Sequence, residues 1–413
     1  MKKFYSIWVI IVSMLFLFIL FRVFFQSSNL RKNQEINGSE FYIEEPKLEK
    51  HFTFIKKNIP FHFSHIVSLI SVKNNSEINI DLSKFNNFKD VQDALAKRSA
   101  YYITDSIIKD NEILSNENII QHINNALIAR KEYPWCASLS LDQFNEYVLP
   151  YRIGQEPLTF WRKFFYNRYK SLADSCKLNN VSEKELCTLI NDDLKKQVSY
   201  SSSCSVFPGQ FSFDKILQMK CANCEGMAHI AIWAMRSVGL AVAKDIAPYW
   251  GSYNSGHVWN VLITSEKKIP FGGCGDNPGE MPLFYHAPKI FRTVYSYNPN
   301  PVLEYASRKQ EIPSLFKELH AKDVTNEYYE TFNIKTKLEQ KKPKGNNCAF
   351  LCVYNNNRWA PVEWAKIRIF SSNVTFSNMS GEILYMPAYF HNDRAIQAGY
   401  PFYLNKSGEK KNF

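Results

Sequence analysis

One segment constrains this fold more than any other. It is Cys224-Glu-Gly-Met-Ala-His-Ile-Ala-Ile-Trp-Ala-Met-Arg-Ser-Val-Gly239, a helical stretch that is apolar almost all round. A helix of that kind is buried on every side rather than laid on a surface, and Gly239 is a natural C-terminal stop. Cys224 falls in its first turn. There the helix dipole and the unpaired backbone N–H groups favour a thiolate, so the position predicts a lowered thiol pKa and a nucleophile at neutral pH. The same N–H groups can hold the oxyanion formed when a thiolate attacks an acyl carbon.

Some thirty residues on, Ser255-Gly-His-Val-Trp-Asn-Val-Leu-Ile263 alternates as a strand does, opened by a glycine. Period two puts His257, Trp259, Val261 and Ile263 on one face. A buried helix led by Cys and a strand led by His are the two halves of a thiol–imidazole site. The imidazole takes the thiol proton and later returns it to a leaving amine. A third group should accept a hydrogen bond from the other ring nitrogen. If the strand turns at Glu266-Lys267 and returns, Asp276 faces His257, although Gly272, Gly273 and Gly275 invite bulges that shift the register. Asn277 and Asn260 are lesser candidates, and Asn260 points to the other face.

The segments Cys-Glu-Gly-Met-Ala, Arg-Ser-Val-Gly-Leu and Gly-His-Val-Trp-Asn resemble the core of bacterial transglutaminase-like proteins. The likeness runs from about 215 to 280, and Leu149–Arg162 resembles, more weakly, a segment preceding that core in some bacterial envelope members. The resemblance implies an α+β fold with a papain-like/transglutaminase-like core, with Cys224 as nucleophile, His257 as base and Asp276 as third residue. The family usually presents Asp at the end of the next strand, often before Pro, whereas here that strand reads Ile269-Pro-Phe-Gly-Gly. The chemistry implied is attack on an amide carbonyl to give an acyl-enzyme, as in a peptidase, an amidase or a transglutaminase. It requires no metal or organic cofactor. The alternative is a catalytically inactive member that serves as a binding or scaffolding module of the cell envelope.

Around this core the sequence suggests a membrane anchor or signal segment over 1–28 and a stalk and irregular lead-in over 29–84. A helical region follows over 85–200, then the core over 201–300, then a linker helix and C-terminal antiparallel β domain over 301–413. Lys2 and Lys3 precede an apolar run from Ile7 to Phe25, broken only by Ser13 and Arg22. A run of about twenty residues suffices to span a bilayer. Export is the expectation: anchored in the inner membrane and facing the periplasm, or periplasmic or secreted if the segment is cleaved. That location favours peptides, proteins or peptidoglycan stems as substrates, with the membrane as a further partner. The net charge of +11 comes from 50 Lys and Arg against 39 Asp and Glu spread along the chain. No compact basic block with interleaved aromatics occurs, which argues against nucleic acid.

Several residues carry second readings. Cys221 and Cys224 make a Cys-x-x-Cys motif, as in thiol–disulfide proteins, without the βαβ pattern such proteins need. Cys221, Cys224, His229 and His257 could hold zinc, at a spacing that matches no familiar site. Gln218 lies six residues before Cys224, where papain-like proteases place an oxyanion glutamine. Arg152, Glu156 and Arg162 line a cleft or, by the stronger reading, form a brace of ion pairs. The nine cysteines are odd in number, so at least one stays unpaired within the chain.

Overall fold

The computed structural model describes residues 45–78, 101–205, 209–282, 285–368 and 371–412, with a few single positions between 84 and 97. The apolar run from Ile7 to Phe25 lies outside them, and no helix among the described residues is long and apolar enough to cross a membrane. Residues read as stalk and lead-in contain helix α1 (Glu45–Asn58) and strand β1 (Phe63–Ser71), which pairs with β2 (Tyr101–Lys109) in register from Phe63 opposite Lys109 to Ser71 opposite Tyr101. Strand β2 thus lies within the expected helical region, most of whose first residues, 85–100, fall outside those described. The region's helices follow: α2 (Asn116–Glu132), α3 (Leu141–Tyr147), α4 (Trp161–Leu178) and α5 (Glu183–Lys195). Ser115 caps α2 by accepting from the Asn118 N–H at 3.2 Å, and Asn118 returns the bond to the Ser115 N–H, a capping box.

A short strand β3 (Ser199–Tyr200) lies parallel to β4 (Cys221–Ala222), with α6 (Phe213–Met219) between them in sequence. The Cys-led segment then forms α7 (Cys224–Ser237). From Ala228 to Ser237 every side chain on it is buried, as its all-round apolar character requires. One face meets α4 and α5. The other meets an antiparallel sheet in the order β7-β6-β5-β8-β9, formed by β5 (Val242–Ala247), β6 (His257–Ile263), β7 (Lys268–Phe271), β8 (Phe291–Thr293) and β9 (Ala321–Asp323). A single hydrophobic core, running from Ile55 to Val324 in sequence, joins helices and sheet.

The remainder is antiparallel β structure. Strands β10 (Thr331–Lys337) and β13 (Asn373–Ser380) pair with each other. They cover one face of a sheet whose main order is β12-β11-β14-β16-β17, with β15 added on β14. Its strands are β11 (Cys348–Asn355), β12 (Arg358–Lys366), β14 (Ile383–His391), β15 (Arg394–Gln397), β16 (Phe402–Leu404) and β17 (Lys410–Asn412). The other face packs on the connecting segment through Val302 and Phe316. A strand is expected at Ile367–Phe370; β12 ends at Lys366, Ile367 and Arg368 lie outside any strand, and residues 369–370 fall outside those described. The whole is an α+β fold with an antiparallel C-terminal region.

Buried ions join the core to that region. Lys289, almost fully buried, reaches Asp323 at the end of β9 in the core sheet at 2.6 Å and Glu363 of β12 at 2.5 Å, and donates to the Ser377 carbonyl of β13. The Leu149–Arg162 stretch is also structural. Arg152 pairs with Asp110 and donates to the Phe63 and Gly154 carbonyls, and Arg162 donates to the Val148 and Arg236 carbonyls. Glu156 accepts from the Ile153 and Gly154 N–H groups. All three side chains are buried, so they brace the helices and do not line a cleft.

Candidate active site

Cys224 opens α7 immediately after Asn223, whose side chain caps the helix by accepting from the Gly226 N–H at 2.9 Å. The thiol meets β6 at its start. The backbone N–H of Val258 acts on it, as do those of Glu225 and Cys224 itself. Val258 follows His257 directly, so the N–H that bears on the thiol lies one residue from the imidazole. Burial outweighs those N–H groups, and the Glu225 charge adds to it, so the Cys224 pKa lies above its ordinary value. This reverses the direction expected from the helix start alone. The dipole is present, but a half-buried sulfur loses more from lost hydration than it gains.

His257 is half-buried and has its pKa lowered by that burial, while the charge of Asp276 pulls the other way. Both shifts run in the direction that favours a neutral thiol and a neutral imidazole. Among the described residues no hydrogen bond joins them, and catalytic pairs often tighten only when substrate binds. Around the imidazole stands an aromatic wall. The rings of Trp259 and Trp250 lie 5.9 and 6.4 Å from it, centroid to centroid, and Tyr285 packs on Trp250 at 5.9 Å. Trp259 is held from behind: its N–H donates to Tyr328, whose hydroxyl donates to Asp245, itself clamped by Arg292. Trp233, by contrast, is wholly buried on α7, with its ring against Phe213 and His229. Gly256, which leads the strand, has no space for a side chain, since a Cβ would lie 2.5 Å from the Pro248 carbonyl oxygen.

Asp276 reaches His257 by a route other than the expected one. The β6–β7 ladder pairs Asn260 with Phe271 and Ile263 with Lys268, which centres the turn on Ser265-Glu266 and shifts the register by two residues. The strand then ends, and Gly272–Gly275 makes a tight turn in which the Gly275 N–H donates to the Gly272 carbonyl. The turn brings Asp276 back beside Gly272, whose N–H donates to the Asp276 carbonyl at 2.9 Å. Asp276 itself is exposed and acts on His257 through its charge. The turn packs directly on α7, where a Cβ at Gly273 would lie 2.5 Å from the Met227 carbonyl oxygen. Asn260 joins the two, donating to the Ala228 carbonyl and accepting from the Gly273 N–H. Asn277 is turned away, bonded to Asn191, Lys195 and Asp192. Neither asparagine is free to serve His257.

The sequence reading missed Asn191. This fully buried residue of α5 donates to the Gly272, Gly275 and Asp276 carbonyls and accepts from the Cys274 N–H at 2.8 Å. It is a positioning residue for the Asp276 turn. Nothing near it in sequence marks it, because its partners lie more than eighty residues away.

Glu225, next to Cys224 in sequence, accepts from Lys244 at 2.7 Å and from Gln210 at 2.9 Å. Burial opposes its charge, but Lys244 and His229 outweigh it and hold the Glu225 pKa down to about 2. His229 is a core histidine 3.1 Å from the Lys244 amine; burial and Lys244 lower its pKa to about 4. A cavity of about 370 Å³ opens beside this cluster, lined by Glu225, Lys244, Gln210, Pro248, His62 and His320, with Cys224 outside its lining. Gln218 is an exposed residue of α6. Cys221 turns its sulfur towards Cys204, and His229 towards Lys244, so the residues considered for zinc do not converge. Among the described residues no three His, Cys, Asp or Glu gather as metal ligands would.

Comparisons with known proteins bear on residues 170–268, which match the family model described as Transglutaminase-like superfamily. That span takes in Cys224 and His257 and stops short of Asp276. No curated protein matches the chain. Among solved structures, a candidate cysteine protease from Cytophaga hutchinsonii is similar at 14% identity and a TM-score of 0.22. The likeness covers 29% of this chain and 40% of that one, and carries neither fold nor activity across. The family match falls on α4 through β6 and the turn that follows, so the similarity to that superfamily covers residues 170–268.

Proposed function

We propose that this protein is an exported thiol enzyme that attacks amide carbonyls through Cys224 and His257 to form an acyl-enzyme. The observation that carries the reading is the placement of Cys224 in the first turn of a buried helix that packs on the strand led by His257. His257 takes the thiol proton as the sulfur attacks, so no ion pair has to exist beforehand. The oxyanion develops near backbone N–H groups at the helix start, which stabilise it. Collapse expels the amine, which carries away the proton from His257. Water then releases the acid, or a second amine takes the acyl group. Asp276 keeps a negative charge near the imidazolium formed in between. Export rests on the apolar run from Ile7 to Phe25, and it favours peptides, proteins or peptidoglycan stems as acyl donors.

Alkylation by iodoacetamide across pH tests the reading. Eight of the nine cysteines are buried and only Cys224 is half-buried, so exposure alone makes it the first to react. The decisive comparison is therefore His257→Ala. With a base at work, Cys224 labelling in the wild type exceeds that in His257→Ala near neutral pH, and the two converge in alkali. Equal rates at every pH would leave an inactive binding module as the better account.

A further inference from the structure

We propose that Cys204 and Cys221 form a disulfide that ties down the strand leading into the nucleophile. Their sulfurs lie 3.6 Å apart, and both side chains are buried. Among the described residues no other two cysteine sulfurs are in contact, and Cys221 makes no such contact with Cys224, its partner in the Cys-x-x-Cys motif. The approach is built into the backbone. Strands β3 and β4 lie in register, Ser199 beside Cys221 and Tyr200 beside Ala222. The Ser201 N–H donates to the Ala222 carbonyl at 2.8 Å. A 3-10 turn over Ser202–Ser205 then curls Cys204 back over Cys221, its N–H donating to the Ser201 carbonyl. A bond of about 2.05 Å needs the sulfurs to close by roughly 1.5 Å, within reach of side-chain rotation.

The reaction is an exchange with a donor disulfide, the oxidant available in an oxidising compartment. One cysteine, as thiolate, attacks a donor sulfur and expels the donor's other sulfur as thiolate. The second cysteine attacks the mixed disulfide and releases the remaining donor sulfur. Two protein thiols are oxidised and one donor disulfide becomes two thiols. In the packed, reduced protein burial and the neighbouring Cys221 push the Cys204 pKa up to about 12, so exchange belongs to folding, before the pair is covered.

The bond encloses the segment that carries α6 and Gln210, the side chain donating to Glu225 beside Cys224. It also commits Cys221 elsewhere, leaving Cys224 a free thiol. This inference rests on the proposed export but not on the reaction Cys224 performs, and its test does not use activity. The full chain is produced in an oxidising secretory compartment, quenched in acid, alkylated in denaturant without reductant, and mapped by mass spectrometry. The expected product is a Cys204–Cys221 linked peptide, with Cys221 alkylated in Cys204→Ser. Reductant should lower the thermal midpoint of the wild type but not that of the variant. If the variant fails to fold, the wild-type midpoint with and without reductant still decides. Alkylation of both cysteines in the wild type, a Cys221–Cys224 link, or a midpoint indifferent to reductant would overturn the proposal.

Discussion

The Asn191 side-chain amide donates to the backbone carbonyl of Asp276 at 3.3 Å, so a helix residue far upstream holds the carboxylate nearest in charge to His257. The same amide reaches Gly272 and Gly275, and its oxygen accepts from Cys274. Asn191→Ala takes the side-chain partner from the Cys274 N–H and the Gly275 carbonyl, while the Gly272 and Asp276 carbonyls keep their bonds within the turn, at about 1–3 kcal/mol of stability. The turn then loosens, and the expected effect on the proposed reaction is a fall in kcat larger than any change in KM, since Asp276 acts on His257 through its charge. Chemical denaturation and steady-state kinetics on one preparation check both. A stable variant with unchanged kcat would remove Asn191 from the site.

The pH dependence follows from two opposed shifts. His257 lies below its ordinary value of about 6.5, and attack needs the imidazole neutral. The acid limb of Cys224 alkylation should therefore fall below pH 6.5. Asp276 raises the His257 pKa, so Asp276→Asn should move that limb to still lower pH. Because the Cys224 pKa is raised, a second increase should appear in alkali, as free thiolate forms. A limb that moved upward in Asp276→Asn would contradict the geometry, and a level rate from neutral pH into alkali would indicate a preformed ion pair.

The helix at Cys224 and the strand at His257 were legible because each is written locally, one as all-round apolarity and the other as period two. What failed was whatever depended on distance along the chain. The direction of the Cys224 shift depends on how deeply later elements cover the thiol, which no local pattern states. The β6–β7 turn lies one residue earlier than expected, since Thr264 and Lys267 close it through the Lys267 carbonyl. Asp276 still meets His257 electrostatically because the glycine turn after Phe271 restores the two lost positions. Asn191 and Cys204 carry no sequence signal, since a buried amide and a cysteine in a serine-rich stretch acquire meaning only from partners elsewhere. Strand β12 was obscured for a different reason. Pro361 and the charged Glu363 interrupt its alternation, yet a register shift between Leu351 and Cys352 of β11 accommodates the first, and Lys289 neutralises the second.

The Glu225–Lys244 pair should make stability fall in acid. The Glu225 pKa is held at about 2, below its unfolded value of about 4.3, so the charged form favours the folded state. That contribution is complete above pH 4.3 and disappears as pH falls through 2. Its size is about 3 kcal/mol by linkage. Glu225→Gln removes it and leaves the buried Lys244 ammonium with His229 and no carboxylate, so the variant should be less stable at neutral pH and should lose this part of the acid dependence. Urea denaturation from pH 2 to 7 measures both slopes. Parallel curves for the two proteins would show that the pair contributes nothing of this kind.

Lys289 offers a test of how the core and the β region are coupled. Its ammonium sits between Asp323 and Glu363 with almost no exposure, and burial raises the Glu363 pKa even with Lys289 beside it. Lys289→Met leaves two carboxylates facing each other without a cation. Removing one partner of a buried ion pair costs about 3–5 kcal/mol. The loss should be partly recovered in mild acid, because the raised Glu363 pKa rises further without the lysine, and a protonated Glu363 no longer opposes Asp323. Denaturation at pH 5 and pH 8 separates this from simple loss of packing. An electrostatic coupling predicts a larger deficit at pH 8, whereas a deficit equal at both would assign the role of Lys289 to its aliphatic stem.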